Sequence, residues 1–217
     1  LIDNDSRFVF SFVRSAIEAG ASVANYVELL SAERDADRWR ARLRDVDSGE
    51  EFETSARVIV NAAGPFVDEL NQAWGVETEH RIVYSKGIHL VVPRLTTNRH
   101  DRVLAFFDDT QRLFYVIPMG RRSVIGTTDT RVDSPHTEVD DDDRAFLLEQ
   151  INARLDLEHP LTAADVIAQR SGVRPLVVKR TGGDQRDVDW TSLSRKHEVE
   201  RDDDRSIVTV FGGKLTD

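Results

Sequence analysis

The spacing of apolar residues predicts that the chain begins with an amphipathic helix. Apolar side chains recur at helical spacing between Phe8 and Ile17, and Asp3 or Asp5 can cap the first turn. Gly20 is placed to end the helix, because glycine adopts the left-handed conformation that follows many helices at little cost. We therefore expect a helix that stops at Gly20.

Alternation of apolar and polar residues predicts strands in the next segment. Ser22 to Leu30 alternates well enough for a strand. Residues 39–46 and 51–60 predict a hairpin, because Asp47-Ser48-Gly49 between them is a typical tight turn. This part of the chain is therefore predicted to be one strand followed by a hairpin.

A turn of small residues follows the hairpin. Residues 57–60 predict a buried strand that runs into Asn61-Ala62-Ala63-Gly64-Pro65, and Pro65 suits the first turn of a helix that continues to Trp74. Small residues at such a turn admit either another backbone or a ligand. From the residues alone, plain helix-to-sheet packing and ligand contact explain this turn equally well.

Longer strands and one further helix are predicted from about residue 80. His80 to Val92 predicts a strand interrupted by Lys86-Gly87, and residues 140–155 predict a helix with an acidic first turn. Further strands are predicted at residues 103–107, 113–117, 123–127, 165–178 and 207–211. Their short spacing is typical of an antiparallel sheet.

Composition excludes several classes of function. The 217 residues carry a formal net charge of −10, which argues against nucleic acid as the main partner. The chain has no cysteine, so thiolate metal sites and a cysteine nucleophile are impossible, and its six histidines are too scattered to predict a metal site. No apolar run approaches the ~18 residues of a membrane span.

Two short motifs are suited to binding an anion. The final strand stops at Gly212-Gly213-Lys214, where the glycines allow close backbone approach and the lysine adds a charge. In Ser171-Gly172-Val173-Arg174-Pro175, a stiff backbone holds one arginine, which suits recognition of phosphate or carboxylate. A glycine turn and a surface arginine explain the same residues equally well.

Three other candidates have ordinary structural explanations. His89 lies among apolar residues, where a lone histidine is more often a hydrogen-bonded core residue than a functional one. Gly126-Thr127-Thr128-Asp129 ends a strand as a capped turn would. Arg195 lies in a polar strand and by itself predicts only a solvated side chain.

Six motifs in order along the chain nevertheless carry a resemblance to a known family. They are Asn61 to Pro65, Lys86 to Arg94, Val116-Ile117-Pro118, Ile125 to Asp129, Ser171 to Leu176 and Phe211 to Thr216. Each motif is weak alone, but the ordered set resembles the FAD-dependent glycerol-3-phosphate dehydrogenases. These enzymes belong to the flavoproteins of the D-amino-acid-oxidase type. The resemblance implies a mixed α/β and α+β fold, in which an antiparallel substrate domain covers a flavin held by a doubly wound FAD domain.

The resemblance also implies roles for individual residues. The family's catalytic residues match His89, Arg174 and Lys214, and its substrate contacts match Arg174, Arg195, Lys214 and Thr128. Its FAD contacts match Asn61, Ala62, Ala63, Gly64, Gly212, Gly213, Lys214, Leu215 and Thr216. The chemistry is consistent, because a dianionic phosphate needs fixed cations and removal of a hydroxyl proton needs a base such as His89.

The implied function is oxidation of sn-glycerol 3-phosphate to dihydroxyacetone phosphate with FAD, and transfer of the electrons to a quinone. An oxidase that uses oxygen, and a non-catalytic substrate-binding module, are the alternatives. The resemblance implies part of the FAD-binding domain at residues 1–78, the substrate domain at 79–200, and a return strand with its glycine turn at 201–217. It also implies a cytoplasmic enzyme that associates peripherally with the inner face of the membrane and can form homo-oligomers.

The family pattern is incomplete in this sequence. The chain has no G-x-G-x-x-G turn for the FAD pyrophosphate, and the family's early substrate-binding arginine and the helix after Thr216 are also missing. We therefore expect the chain to be the middle of the enzyme. We expect it to fold without FAD, and to be inactive alone.

Overall fold

The computed structural model of the chain describes residues 5–95, 102–180 and 196–213. The chain forms two compact units, one of residues 1–59 and 204–206 and the other of residues 60–203 and 207–217. The domain boundaries predicted at residues 78 and 200 stay predictions.

The smaller unit contains a helix and a three-stranded antiparallel sheet. Helix α1 spans Asp5–Glu18, and strands β1, β2 and β3 span Val27–Asp35, Arg38–Asp45 and Glu51–Ala56. The predicted helix and hairpin are confirmed. The predicted strand Ser22–Leu30 is wrong in its bounds, because β1 pairs with β2 as far as Asp35, before a turn with positive φ at Ala36.

Helix α1 and the hairpin differ in burial. No residue of α1 is buried, and Phe12 is 59% exposed although it lies on the predicted apolar face. Trp39 of β2 is 3% exposed, and its indole Nε1 donates a hydrogen bond of 2.9 Å to the carbonyl oxygen of Arg205. The hairpin is therefore anchored within its unit by this tryptophan.

The larger unit is built on a six-stranded antiparallel sheet, which confirms the predicted sheet. It is preceded by strand β4 (Ile59–Asn61) and helix α2 (Val67–Ala73). Its strands are β5 (His80–Pro93), β6 (Leu104–Phe107), β7 (Leu113–Met119), β8 (Arg122–Gly126), β9 (Thr130–Val132) and β10 (Ala168–Lys179). The order is β10-β5-β8-β7-β6, and β9 also pairs with β5.

One face of this sheet is covered by helix α3 (Asp141–Arg154). The core between them contains Ile88, Leu90, Val92, Phe114, Val116, Ile125, Leu147, Leu148 and Ile151. The acidic first turn of α3 is the predicted cap, because Asp140 and Asp143 form a capping box. Lys86 reaches this turn from β5, with its Nζ 2.6 Å from Asp143 Oδ2. The lysine therefore ties the helix to the sheet.

A second sheet contains β4 and the last two strands. Strands β11 (Glu198–Asp202) and β12 (Ile207–Phe211) pair with each other, and β12 also pairs with β4. Phe211 is fully buried against Val67 of α2 and Ile82 of β5. This contact places the end of β12 against the first half of β5.

Two predictions about strands need correction, and two strands were missed. β5 continues through Lys86-Gly87 without the predicted interruption, because it pairs with β10 along that whole segment. The short strands β9 and β11 were not predicted. Residues 57–60 do not form a buried strand, since β4 begins only at Ile59 and Val60 is 61% exposed.

Candidate active site

The pairing of β5 with β10 brings His89 and Arg174 to the same face of the sheet. Arg170 lies opposite His89, and Arg174 lies opposite Ser85. Because side chains alternate along a strand, Ser85, His89 and both arginines share the face opposite α3. Lys86 points the other way, to the first turn of α3, so it takes no part in this site.

The guanidinium group of Arg174 is held by the end of β8 and the residues that follow it. Its Nη2 donates a hydrogen bond of 2.9 Å to the hydroxyl of Thr127. Its Nη1 donates to the carbonyl oxygen of Thr128 at 3.3 Å and lies 3.5 Å from the carboxylate of Asp129. These contacts fix the direction of the positive charge, as an anion site requires.

Asp129 links this arginine to two other parts of the sheet. Its carboxylate accepts a hydrogen bond from the hydroxyl of Ser85 on β5. Its carbonyl oxygen accepts one from Arg112 Nη2 at 3.0 Å. Asp129 therefore stabilises the turn that carries the acceptors for Arg174. The sequence motif placed Asp129 near the site but gave it no role.

Thr128 and Thr127 have different surroundings. Thr128, the predicted substrate contact, is 2% exposed, and its hydroxyl accepts a hydrogen bond of 3.1 Å from the backbone N–H of Ile88. The hydroxyl of Thr128 is thus used to hold β5, and only its carbonyl oxygen contacts Arg174. The neighbouring Thr127, to which the sequence gave no role in the site, supplies the hydroxyl that contacts the arginine.

His89 lies partly buried beside two arginines. Burial, and the positive charges of Arg170 and Arg174, lower the pKa of His89 from 6.5 to about 4. The imidazole is therefore neutral at pH 7, and its unprotonated ring nitrogen can accept a proton. Arg170 was not predicted. Its register opposite His89 is the signal that could have revealed it.

The side chain of Asn61 is used inside the protein. Its Nδ2 donates to the carbonyl oxygen of Val67 at 3.0 Å and to Asn71 Oδ1 at 2.9 Å. Thr209 of β12 donates to the same Asn71 oxygen at 3.1 Å. These bonds hold the turn that contains Ala62, Ala63 and Gly64, so any cofactor contact of this turn falls to its backbone.

The two glycines after β12 both need to be glycine. Gly212 and Gly213 have φ of 63° and 103°, which side chains rarely adopt. A Cβ atom on Gly212 would also lie 2.5 Å from Val177 Cγ2, whereas one on Gly213 would meet no atom closer than 3.6 Å. The predicted site residues Arg195, Lys214, Leu215 and Thr216 lie outside the described residues.

Among residues 5–95, 102–180 and 196–213, no group of three or more potential ligands is arranged to hold a metal ion. Within the same ranges, no helix has the length and apolar character needed to cross a membrane.

Comparison with known families identifies the chain. The sequence model of a family described as FAD dependent oxidoreductase, abbreviated DAO, matches residues 2–193. The chain belongs to this family. The match confirms the flavoprotein type inferred from the motifs, and with it FAD as the cofactor of the family. It also explains the mixed fold with antiparallel sheets.

Individual members of the FAD-dependent oxidoreductase family cover nearly the whole chain. The mitochondrial glycerol-3-phosphate dehydrogenase of Bos taurus is 31% identical over 98% of this chain, and the Arabidopsis thaliana protein is 33% identical over 98%. The chain spans 30% and 33% of the lengths of these two relatives. The resemblance to glycerol-3-phosphate dehydrogenases is therefore confirmed over the chain, which covers about a third of each relative.

A solved structure extends the similarity to three dimensions. The glycerol-3-phosphate dehydrogenase of Bacillus halodurans, complexed with FAD, matches 97% of this chain and 39% of its own, with a TM-score of 0.77 and 27% identity. An L-alpha-glycerophosphate oxidase of Mycoplasma pneumoniae matches 92% of this chain with a TM-score of 0.62 at 16% identity. The second likeness concerns the fold alone.

Proposed function

We propose that this chain contributes the substrate-binding face, and part of the FAD site, of an enzyme that oxidises sn-glycerol 3-phosphate to dihydroxyacetone phosphate. The observation that carries the proposal is the fixed guanidinium of Arg174 on the same sheet face as the neutral imidazole of His89. The names of the relatives support the choice of substrate. Anion recognition and proton removal are the two tasks that this substrate requires.

FAD fits this chain in part. Gly64 and Gly213 have positive φ, and a Cβ atom would meet nothing within 4 Å at Gly64 and nothing closer than 3.6 Å at Gly213. Backbone at these turns is open to close approach by a ligand, and we assign Asn61 to Gly64 and Gly212 to Thr216 to the cofactor site. The sequence has no G-x-G-x-x-G turn, so these turns cover only part of a dinucleotide.

The roles of the chain's own residues follow from charge. Arg174 binds an anionic oxygen of the substrate through a guanidinium already oriented by Thr127 and Thr128. The phosphate dianion needs a second cation, which we assign to Arg195, and Lys214 stabilises negative charge that develops on the C2 oxygen. Arg195 and Lys214 enter this proposal through the family resemblance alone.

His89 accepts the proton of the C2 hydroxyl. The imidazole is uncharged at neutral pH and can take this proton, although its pKa of about 4 makes it a weaker base than an ordinary histidine. FAD would be held at the turns assigned above and would supply the acceptor for the hydride that leaves C2 as the C2–O bond becomes a carbonyl. The proton on His89 and the hydride together account for the two hydrogens that leave the alcohol.

The acceptor that reoxidises the flavin is also a proposal. We propose a quinone, reached by peripheral attachment to the inner face of the cytoplasmic membrane, and a homo-oligomer as the assembly. The FAD-loaded protein used in this and the later tests is the parent enzyme to which this chain contributes. With that protein, rapid oxygen uptake and hydrogen peroxide release during turnover would contradict the quinone and indicate the oxidase instead. Turnover with a quinone analogue but little oxygen uptake is the expected result.

Substrate recognition is tested by changing Arg174 in the FAD-loaded protein. Arg174→Ala should weaken glycerol 3-phosphate binding by about 2–4 kcal/mol, because a charge-assisted contact is lost from a partly desolvated site. Arg174→Lys keeps the positive charge but loses the paired N–H donors of the guanidinium, so it should recover only part of the affinity. The exposed Arg122 on β8 supplies the control, Arg122→Ala. Unchanged affinity in Arg174→Ala would overturn the proposal.

A further inference from the structure

Gly87 lies directly beneath the guanidinium group of Arg174. A Cβ atom built on Gly87 would be 2.5 Å from Nη2, 2.7 Å from Nη1 and 2.8 Å from Cζ of that arginine. Because the built Cβ atom is almost equally far from these three atoms, the flat face of the guanidinium lies against Gly87. The guanidinium group thus occupies the space that the Cβ atom of any other residue at position 87 would need.

The backbone does not explain why this position is glycine. Gly87 lies in the middle of β5 without the positive φ that marks Gly64, Gly212 and Gly213. A glycine inside a strand costs stability and commonly marks a close approach of another group. Here all three nearest atoms belong to the guanidinium of Arg174, so the approaching group is the arginine head.

The guanidinium can retreat only by giving up its hydrogen bonds and its ion pair. It donates to Thr127 Oγ1 at 2.9 Å and to the carbonyl oxygen of Thr128 at 3.3 Å, and it lies 3.5 Å from Asp129 Oδ1. A methyl group at position 87 would push the guanidinium off β5 and break these contacts. The long arginine side chain can move, so the strand itself need not.

Gly126 shows the same relationship with His89 but makes a poorer test. A Cβ atom there would lie 2.4 Å from His89 Cδ2 and also 2.9 Å from the carbonyl oxygen of Ile88. The second clash involves backbone, so a side chain at Gly126 would disturb the pairing of β5 with β8. At Gly87 the three nearest atoms all belong to one flexible side chain.

We propose that Gly87 is a positioning residue for Arg174. It leaves room for the guanidinium to lie on β5, where Thr127, Thr128 and Asp129 hold it with its charge aimed at the substrate. The consequence for the substrate rests on the proposed function, whereas the position of the guanidinium does not. Gly87 itself makes no contact with the anion.

Gly172 provides a matched control. It lies directly opposite Gly87 in the β5–β10 pair, and a Cβ atom there would meet nothing within 4 Å. The variants Gly87→Ala and Gly172→Ala therefore add the same methyl group to neighbouring positions in one ribbon. Only the first should displace Arg174.

The experiment compares these two variants in the FAD-loaded protein by crystal structure and by titration with glycerol 3-phosphate. We expect Gly87→Ala to show a displaced guanidinium and at least about tenfold weaker binding, and Gly172→Ala to match the wild type. The double variant with Gly87→Ala and Arg174→Ala should bind no more weakly than Arg174→Ala alone, because the guanidinium that Gly87→Ala displaces is already absent.

The outcomes separate the two proposals. An undisplaced guanidinium in the Gly87→Ala structure would overturn the positioning role, as would wild-type affinity. A further loss of affinity on top of Arg174→Ala would overturn it too. If Arg174→Ala alone leaves binding unchanged, the proposed function fails, and the crystal structure of Gly87→Ala still decides whether the glycine positions the arginine.

Discussion

Arg174 on β10 acts on His89 on β5 through its charge. Burial contributes most to lowering the pKa of His89 to about 4, and Arg170 and then Arg174 add to the effect. The antiparallel register explains this proximity, since His89 pairs with Arg170 and Arg174 follows on the same face. A base and an anion-binding cation therefore share one surface, and burial together with the two arginines keeps the base uncharged.

The first prediction concerns the pH dependence of stability. The folded protein binds fewer protons at His89 than the unfolded chain between pH about 4 and 6.5, so this residue lowers the free energy of unfolding as the pH falls through that range. His89→Gln should reduce that loss. Urea unfolding at about pH 7 and about pH 4.5 measures it.

The control for this prediction is His159→Gln, which removes an exposed histidine. An NMR titration gives the pKa directly, and the His89 imidazole should stay neutral down to about pH 5. A His89 resonance that titrates near its ordinary value of 6.5 would contradict the burial and the charges assigned to it.

The second prediction concerns the role of His89 in turnover. In the FAD-loaded protein, His89→Asn should lower kcat by about 10²-fold or more, with KM for glycerol 3-phosphate largely kept. The reason is that the change removes the proton acceptor and leaves Arg174 in place. If kcat is unchanged and only the melting temperature falls, His89 is a core histidine and not the base.

The third prediction separates Lys86 from the site. Burial acts to lower the pKa of Lys86, but its hydrogen bonds to Asp143 and Asp140 outweigh burial and raise the pKa. Lys86→Met leaves the buried Asp143 carboxylate without its partner, which should cost about 3 kcal/mol of stability. Substrate affinity should not change, because Lys86 faces α3.

Denaturant unfolding and substrate titration check this pair of expectations. Lys179→Met, at an exposed lysine of β10, should change the free energy of unfolding by less than about 0.5 kcal/mol. A Lys86→Met variant with normal stability and weakened substrate binding would place Lys86 in the site after all.

Strands and helices with a strong local pattern could be predicted from the sequence. The apolar residues of β5 and the acidic cap of α3 are local signals, and both elements lie where they were predicted, although β5 lacks the predicted interruption at Lys86-Gly87. β9 could not be predicted in the same way, because three residues carry little pattern and its pairing with β5 is set by tertiary contact. For the same reason the polar strand β11 depends on its partner β12.

Part of the candidate site was also open to prediction. The motifs identified His89 and Arg174, and strand alternation alone separates Lys86 from His89, which lies an odd number of positions away. The contacts of Thr127 and Asp129 with Arg174 are different, because they join residues far apart in sequence. The reason for a glycine at position 87 appears only when the arginine is placed over it.

Burial was predicted less well than secondary structure. Phe12 of α1 and Val60 of β4 belong to apolar patterns, yet they are 59% and 61% exposed. A pattern identifies which face of an element is apolar, but it does not supply the surface that covers this face. Predictions of burial therefore need the packing partners as well as the pattern.

We propose that His89 and Arg174 serve the oxidation of glycerol 3-phosphate by a flavin. Mixing the oxidised, FAD-loaded protein anaerobically with substrate, and following the visible absorbance of the flavin, tests this proposal. We predict that glycerol 3-phosphate bleaches the flavin within one turnover, that glycerol does so far more weakly, and that His89→Asn slows the bleaching about 10²-fold. A flavin that glycerol 3-phosphate leaves oxidised, or that glycerol reduces equally well, would contradict the account.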